Sequence, residues 1–289
     1  MDADLDLLLT TVFCTADDLL PDRQANAARR VTDAEVVTLC VAQAIMGIPS
    51  DRRFLAVARK RLGHLFPELP QQPGYFKRRR RCVDTLEWLL GVFASQSPGF
   101  DDDLLLVDST PVACAQSRET VRRSALGDAA DYGWCASHSR YFWGFRLHAI
   151  FSPDGTPRAI SLTSPKADER GVALQLLARC RRHGGETLLG DKGYAGRAFA
   201  QAVSDLDATI VRPRRRDEPG QGPHLAPIRQ RIESIFWTCK DILTLERHGA
   251  RTLAGLRERV LQRMVCLAAA VALNHQLGRP SRALVNYCA

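Results

Sequence analysis

The chain of 289 residues contains no Gly-x4-Gly-Lys-Ser/Thr segment and no Gly-x-Gly-x-x-Gly segment. Such glycine-rich loops cradle the phosphates of bound nucleotides, so no nucleotide cofactor is expected. Its nine cysteines include no Cys-x-x-Cys pair. An odd, scattered set of this kind reads as reduced thiols in a cytosolic protein. Cys135-x-x-His138 is half of a zinc pattern, has no partner pair at standard spacing, and is assigned no zinc. The longest apolar run near the C-terminus, Met264 to Leu273, is too short to span a bilayer. Asp2, Asp4 and Asp6 make the N-terminus unlike a targeting segment. A soluble, cytoplasmic protein with no membrane partner is therefore expected.

What is present is an ordinary globular composition with a lopsided charge. Net charge is +8, and residues 208–289 alone carry 14 basic and 6 acidic side chains, which accounts for the whole excess. Such a distribution favours a polyanion as partner.

Residues 1–100 read as helices. Thr32-Asp33-Ala34-Glu35 is a capping box that opens an apolar-periodic run to Ile45. A second helix near Asp51 to Leu62 carries five cations, and Tyr75-Phe76 leads into Lys77, Arg78, Arg79, Arg80 and Arg81. Consecutive cations beside two aromatics suit contacts to a DNA backbone and its bases, and the alternative is a helical cap with solvated arginines. A linker is expected at Ser95 to Gly99.

From residue 101 the pattern changes. Leu104 to Val107 is a short apolar run of the kind buried on both faces of a sheet. It ends in Asp108-Ser109-Thr110-Pro111, where the aspartate serves either a turn or a site. Residues 112–140 are polar and irregular and are taken as an excursion between strands. Phe142 to Phe151 alternates as a strand, Pro153-Asp-Gly155 turns, and Arg158 to Thr163 returns. His148 is expected to be a satisfied strand histidine. Asp168 to Arg182 forms an amphipathic helix stopped by Gly184-Gly185. Thr187 to Leu189 is another apolar strand, running directly into Gly190-Asp191-Lys192-Gly193-Tyr194, so a second carboxylate follows a buried strand. A short helix and a fifth strand, Ala208 to Arg212, precede a basic Pro/Gly-rich loop at 212–223. On the next helix Arg229, Glu233 and Lys240 share one strip beside a broad apolar face. That strip is either an exposed ion-pair ladder or a carboxylate and two cations presented into a cleft. Leu253 to Leu277 is a long C-terminal helix.

This order of elements predicts a mixed five-stranded α/β sheet with flanking helices in residues 101–289, preceded by an all-α domain at 1–100. Asp108 in Val-Asp-Ser-Thr-Pro, Asp191 in Gly-Asp-Lys-Gly-Tyr and Glu233 in Arg229-x3-Glu233-x6-Lys240 resemble the three acidic positions of DDE transposases from bacterial insertion sequences. Arg78–Arg81, Phe145-Arg-Leu-His148 and Ala250–Arg259 are similar to the insertion-sequence group 982. The resemblance implies an RNase H-like catalytic domain that cleaves DNA at element ends and transfers strands into target DNA. It implies Asp108, Asp191 and Glu233 as catalytic residues and ligands of two Mg²⁺ ions, with Mn²⁺ able to substitute. It also implies DNA contacts from Lys77 to Arg81, Lys192, Arg229 and Lys240, double-stranded terminal repeats and target DNA as partners, and a homo-oligomer on DNA. The protein would join the nucleoid when so bound. Related enzymes often carry Tyr three residues before the helix arginine, where this chain has Ala226, and Trp237 is a candidate to serve in its place. Two alternatives remain: a nuclease without strand transfer, and a DNA-binding remnant whose acids are idle.

Overall fold

A computed structural model describes residues 3–21, 30–135, 139–180, 182–214 and 225–288, without the side chains of residues 226 and 229. Most of the basic loop expected at 212–223, and His138 of the half zinc pattern, lie outside the described residues. Five helices come first: α1 (Ala3–Leu19), α2 (Asp33–Ile45), α3 (Asp51–Arg61), α4 (Gln72–Arg81) and α5 (Val83–Ser95). Then follow β1 (Leu104–Ala115), α6 (Arg118–Arg122), β2 (Asp131–Cys135), β3 (Arg140–Phe151), β4 (Pro157–Thr163) and α7 (Glu169–Arg179). The chain continues through β5 (Glu186–Leu189), α8 (Arg197–Asp205), β6 (Ala208–Val211), α9 (Ala226–Asp241) and α10 (Leu253–Gln276). No helix among the described residues is long and apolar enough to cross a membrane.

The chain divides into two compact units, one of residues 1–93 with 238–289 and one of residues 94–237. The division differs from the expected boundary at 100, because α10 packs on α2, α1 and α4. The reason lies in α2 and in residues 264–273 of α10, which are apolar almost all round and so must be covered on every side. The Thr32 hydroxyl accepts from the Glu35 amide at 3.0 Å and the Thr32 amide donates to the Glu35 carboxylate, closing the expected capping box.

A buried ionic network crosses this helical core. Arg79 pairs with Glu258 at 2.8 Å and with Asp51 at 3.3 Å, and Arg259 pairs with Asp51 at 2.6 Å. Tyr75 donates to Gln43, and Gln43 in turn donates to Asp51. Arg263 donates to the Arg259 carbonyl and to Thr244. Part of the positive excess near the C-terminus is thus internal, with Arg259 and Arg263 both buried.

In the second unit one mixed sheet holds β4, β3, β1, β5 and β6 in that order. β1, β3 and β4 are antiparallel neighbours, and β5 and β6 run parallel to β1. A meander entering a parallel pair in this order is the RNase H-like topology expected from the sequence. One strand was not expected: β2 pairs with the first half of β3, along the edge that β4 takes up farther on. Leu105, Val107, Ile150 and Leu188 pack under α7 and α8 through Val172, Leu176, Phe199 and Val203. On the opposite face Phe151 meets Phe236 of α9 edge to face, with centroids 5.6 Å apart. The chain takes a bulge at Ala113 to Ala115 opposite Gly144, whose φ of +155° leaves no room for a side chain: an added Cβ would lie 2.3 Å from the Val112 carbonyl.

Candidate active site

The parallel register of β1 and β5 ends at Leu106 beside Leu189. Asp108 and Asp191 each lie two residues farther on, so two carboxylates leave neighbouring strands at the same level. Asp108 is half-buried and accepts the Ser109 amide at 2.7 Å. Asp191 caps the turn that follows it by accepting the Gly193 amide at 2.7 Å. The glycines of Gly-Asp-Lys-Gly-Tyr have separate reasons. A Cβ on Gly190 would lie 2.7 Å from the Tyr194 ring, and one on Gly193 would lie 2.9 Å from the Asp191 carboxylate. The motif therefore folds Tyr194 back beneath Asp191.

Burial pushes the Asp108 carboxyl up to about 7, and the charges of Asp191 and Glu169 push it the same way, against the Ser109 amide and Arg146. Glu169, the first residue of α7, is a carboxylate that the sequence did not single out. It accepts from the Ser109 hydroxyl at 3.0 Å and pairs with Arg146 of β3. Arg146 also donates to Ser109 at 3.0 Å and to the Trp134 carbonyl at 2.9 Å. Tyr194 is buried, and its hydroxyl has no hydrogen-bond partner among the described residues. Burial, followed by the charges of Asp108, Glu169 and Asp191, holds its phenol above the usual range. Nothing local in the sequence marked Glu169, which reads as an ordinary acidic first turn, or Arg146, which reads as a polar strand position.

Glu233 stands on the exposed side of α9. Among the described residues no three His, Cys, Asp or Glu side chains are grouped so that they could hold one metal ion. Of the three expected acids, Asp108 and Asp191 follow neighbouring strands, with Glu169 acting on Asp108, and Glu233 is carried by α9. Two adjacent carboxylates and a buried hydroxyl without a partner still fit a hard divalent cation, which often takes one or two protein carboxylates and fills its remaining positions with water or phosphate.

The cations expected on DNA are distributed unevenly. Lys77, Arg80 and Arg81 lie exposed on α4. Arg79 is a correction: it is buried, held by Glu258 and Asp51, because at helical spacing one arginine of a run of four must face the core. Arg78 is taken up by Asp33 and the Val31 carbonyl. Lys192 is exposed beside Asp191, and Lys240 pairs with Glu246 at 3.1 Å. The side chain of Arg229 lies outside the described residues. Trp237 is exposed. His148 is buried with Nε2 on the Thr163 hydroxyl at 3.0 Å, but its Nδ1 is buried with no hydrogen-bond partner among the described residues, so the expected strand histidine is only half satisfied.

A search of curated proteins gives no match. A crystal structure of a pre-cleavage Mos1 transpososome aligns over 87% of this chain and 83% of that chain, with 11% identity and a TM-score of 0.21. At that score the fold assignment rests on the strand order and not on the likeness. The family model described as "Transposase DDE domain" matches residues 99–269, more than half of the chain. The chain therefore belongs to the DDE-domain transposases, enzymes of DNA transposition.

Proposed function

We propose that this transposase cleaves DNA at the ends of its own element and joins the freed 3′ ends to target DNA, with Asp108, Asp191 and Glu233 as the reacting acids. The observation that carries the reading is the pair Asp108 and Asp191, level with each other past the last paired residues of β1 and β5. These acids would hold Mg²⁺, as two ions, with Mn²⁺ as substitute; when bound, the metal would supply Lewis-acid polarisation of the phosphodiester and an activated oxygen nucleophile. Lys192 and Lys240, with Arg229, would contact the phosphates near the reacting bond as charge-assisted donors. Lys77, Arg80 and Arg81 would contact duplex DNA farther away. Double-stranded terminal repeats and a target duplex are the partners, a homo-oligomer assembles on them, and the arginine block and the Ala250–Arg259 segment point to group 982.

A plasmid carrying the element ends, incubated with Mg²⁺, tests the reading. Excised or joined DNA is expected from the unaltered protein. Asp191→Asn should abolish cleavage and leave end binding within a few-fold. Nicked or degraded DNA alone would favour a nuclease, and binding without cutting an idle remnant. One observation favours a second choice for the third acid, since the charge of Glu169 acts on Asp108. Glu233→Gln and Glu169→Gln separate the two: the third acid is the one whose loss stops cleavage.

A further inference from the structure

We propose that the hairpin of β2 and β3 is a stacking platform for unpaired bases on a DNA strand that flanks the cleavage site. Trp134 and Tyr141 are directly opposite each other across the two strands, edge to face with centroids 4.8 Å apart. They are 45% and 74% exposed, and Tyr132, on the same face, is 50% exposed. Only the other face of the hairpin is covered. There Gly133, Cys135 and Phe142 are buried, and a Cβ on Gly133 would lie 2.5 Å from Pro165. Among the described residues 94–237, every large hydrophobic side chain left exposed is aromatic: Tyr132, Trp134, Tyr141 and Trp237. Exposed rings also serve protein interfaces, and the exposed cations Arg118 and Arg122 on α6 favour a polyanionic strand as the occupant here. Rings alone, with phenol and indole edges in water, match the flat faces of nucleobases. Arg140 beside Tyr141, and Arg118 and Arg122 on α6, are exposed cations for the accompanying phosphates.

The platform is braced to the acidic site. Arg146 holds the Trp134 carbonyl with one nitrogen and Ser109, the neighbour of Asp108, with the other. Tyr141 lies eight residues along β3 from Ala149, which pairs with Asp108. That is ~26 Å along a strand at ~3.3 Å per residue. It equals roughly eight stacked base steps at ~3.4 Å. The bases held are therefore remote from the reacting bond, in a single-stranded flank; this placement rests on the proposed role of Asp108.

The test uses the full chain with two probes, a blunt duplex and the same duplex with a single-stranded tail carrying 2-aminopurine. The unaltered protein should bind the tailed probe more tightly and quench the 2-aminopurine emission. The double variant Trp134→Ala with Tyr141→Ala should lose about 10-fold or more on the tailed probe. It should keep blunt-duplex affinity within about 2-fold and its thermal midpoint, and Trp134→Phe with Tyr141→Phe should restore tail binding. Unchanged tail affinity overturns the platform. If that result comes with a loss of self-association, the face is a contact between copies of the chain. Binding of neither probe by the unaltered protein overturns the platform and the DNA reading together, which distinguishes the two failures.

Discussion

Asp108 shows what an acidic site costs the fold that carries it. Its carboxyl sits near 7 against an ordinary 3.8, so the folded chain holds a proton that the unfolded chain releases across that interval. The stability Asp108 contributes is complete below about 3.8 and is lost as pH rises through about 7. Asp108→Asn should therefore be inactive yet more stable at pH 8, by up to about 4 kcal/mol, with the gain vanishing toward pH 4. Thermal midpoints across that range check this, and added Mg²⁺ should stabilise the unaltered protein and not the variant. His148 works in the opposite sense. Burial, with Arg146 beside it, lowers its pKa to about 4 from 6.5. Between those values the unfolded chain takes up a proton that the folded one refuses. Stability is thus complete above about 6.5 and falls as pH drops toward 4, by about 3 kcal/mol in all. Urea unfolding of His148→Gln should show a flatter dependence over that window.

α4 separates two uses of one charge run. Removing Lys77, Arg80 and Arg81 together should lower the slope of log affinity against log salt by about 2 to 3 and leave the thermal midpoint nearly unchanged. Arg79→Ala should do the reverse, costing about 3–5 kcal/mol by stranding Glu258. An unchanged salt slope in the triple variant would place α4 off the DNA. Elements with strong periodicity were legible in the sequence: α2 from its capping box, β3 from alternation, β5 from its apolar run ahead of Asp191. The full length of β1 was not, because Ser-Thr-Pro after Asp108 reads as a turn. The strand continues through Pro111 because β5 has already ended at Leu189, leaving one side of β1 unpaired, where proline is tolerated. β2 was hidden for a different reason: Tyr-Gly-Trp owes its strand to pairing with β3, a non-local preference that a short window does not reveal. Glu169 and Tyr194 enter the site only through the pairing of β1 with β3 and β5, and that closure has no local signal.

At the scale of the whole chain, two cores share one discontinuous sequence. A chain ending at residue 237 lacks α10, which leaves α2, α1 and α4 without the helix they pack on. Such a truncation should aggregate or lose cooperative unfolding of the helical unit rather than yield a trimmed nuclease, as calorimetry would show. Calorimetry of Arg79→Ala should likewise lower the transition of that unit.

The same discontinuity has a consequence during synthesis. Residues 94–237 leave the ribosome between the two portions of the helical core, and at about 5–20 residues per second that interval lasts roughly 7 to 30 s. Throughout it, the oily flank of α2 waits for a mate that has not yet been translated. Premature termination anywhere upstream of α10 leaves the arginine helix without the helix it packs on.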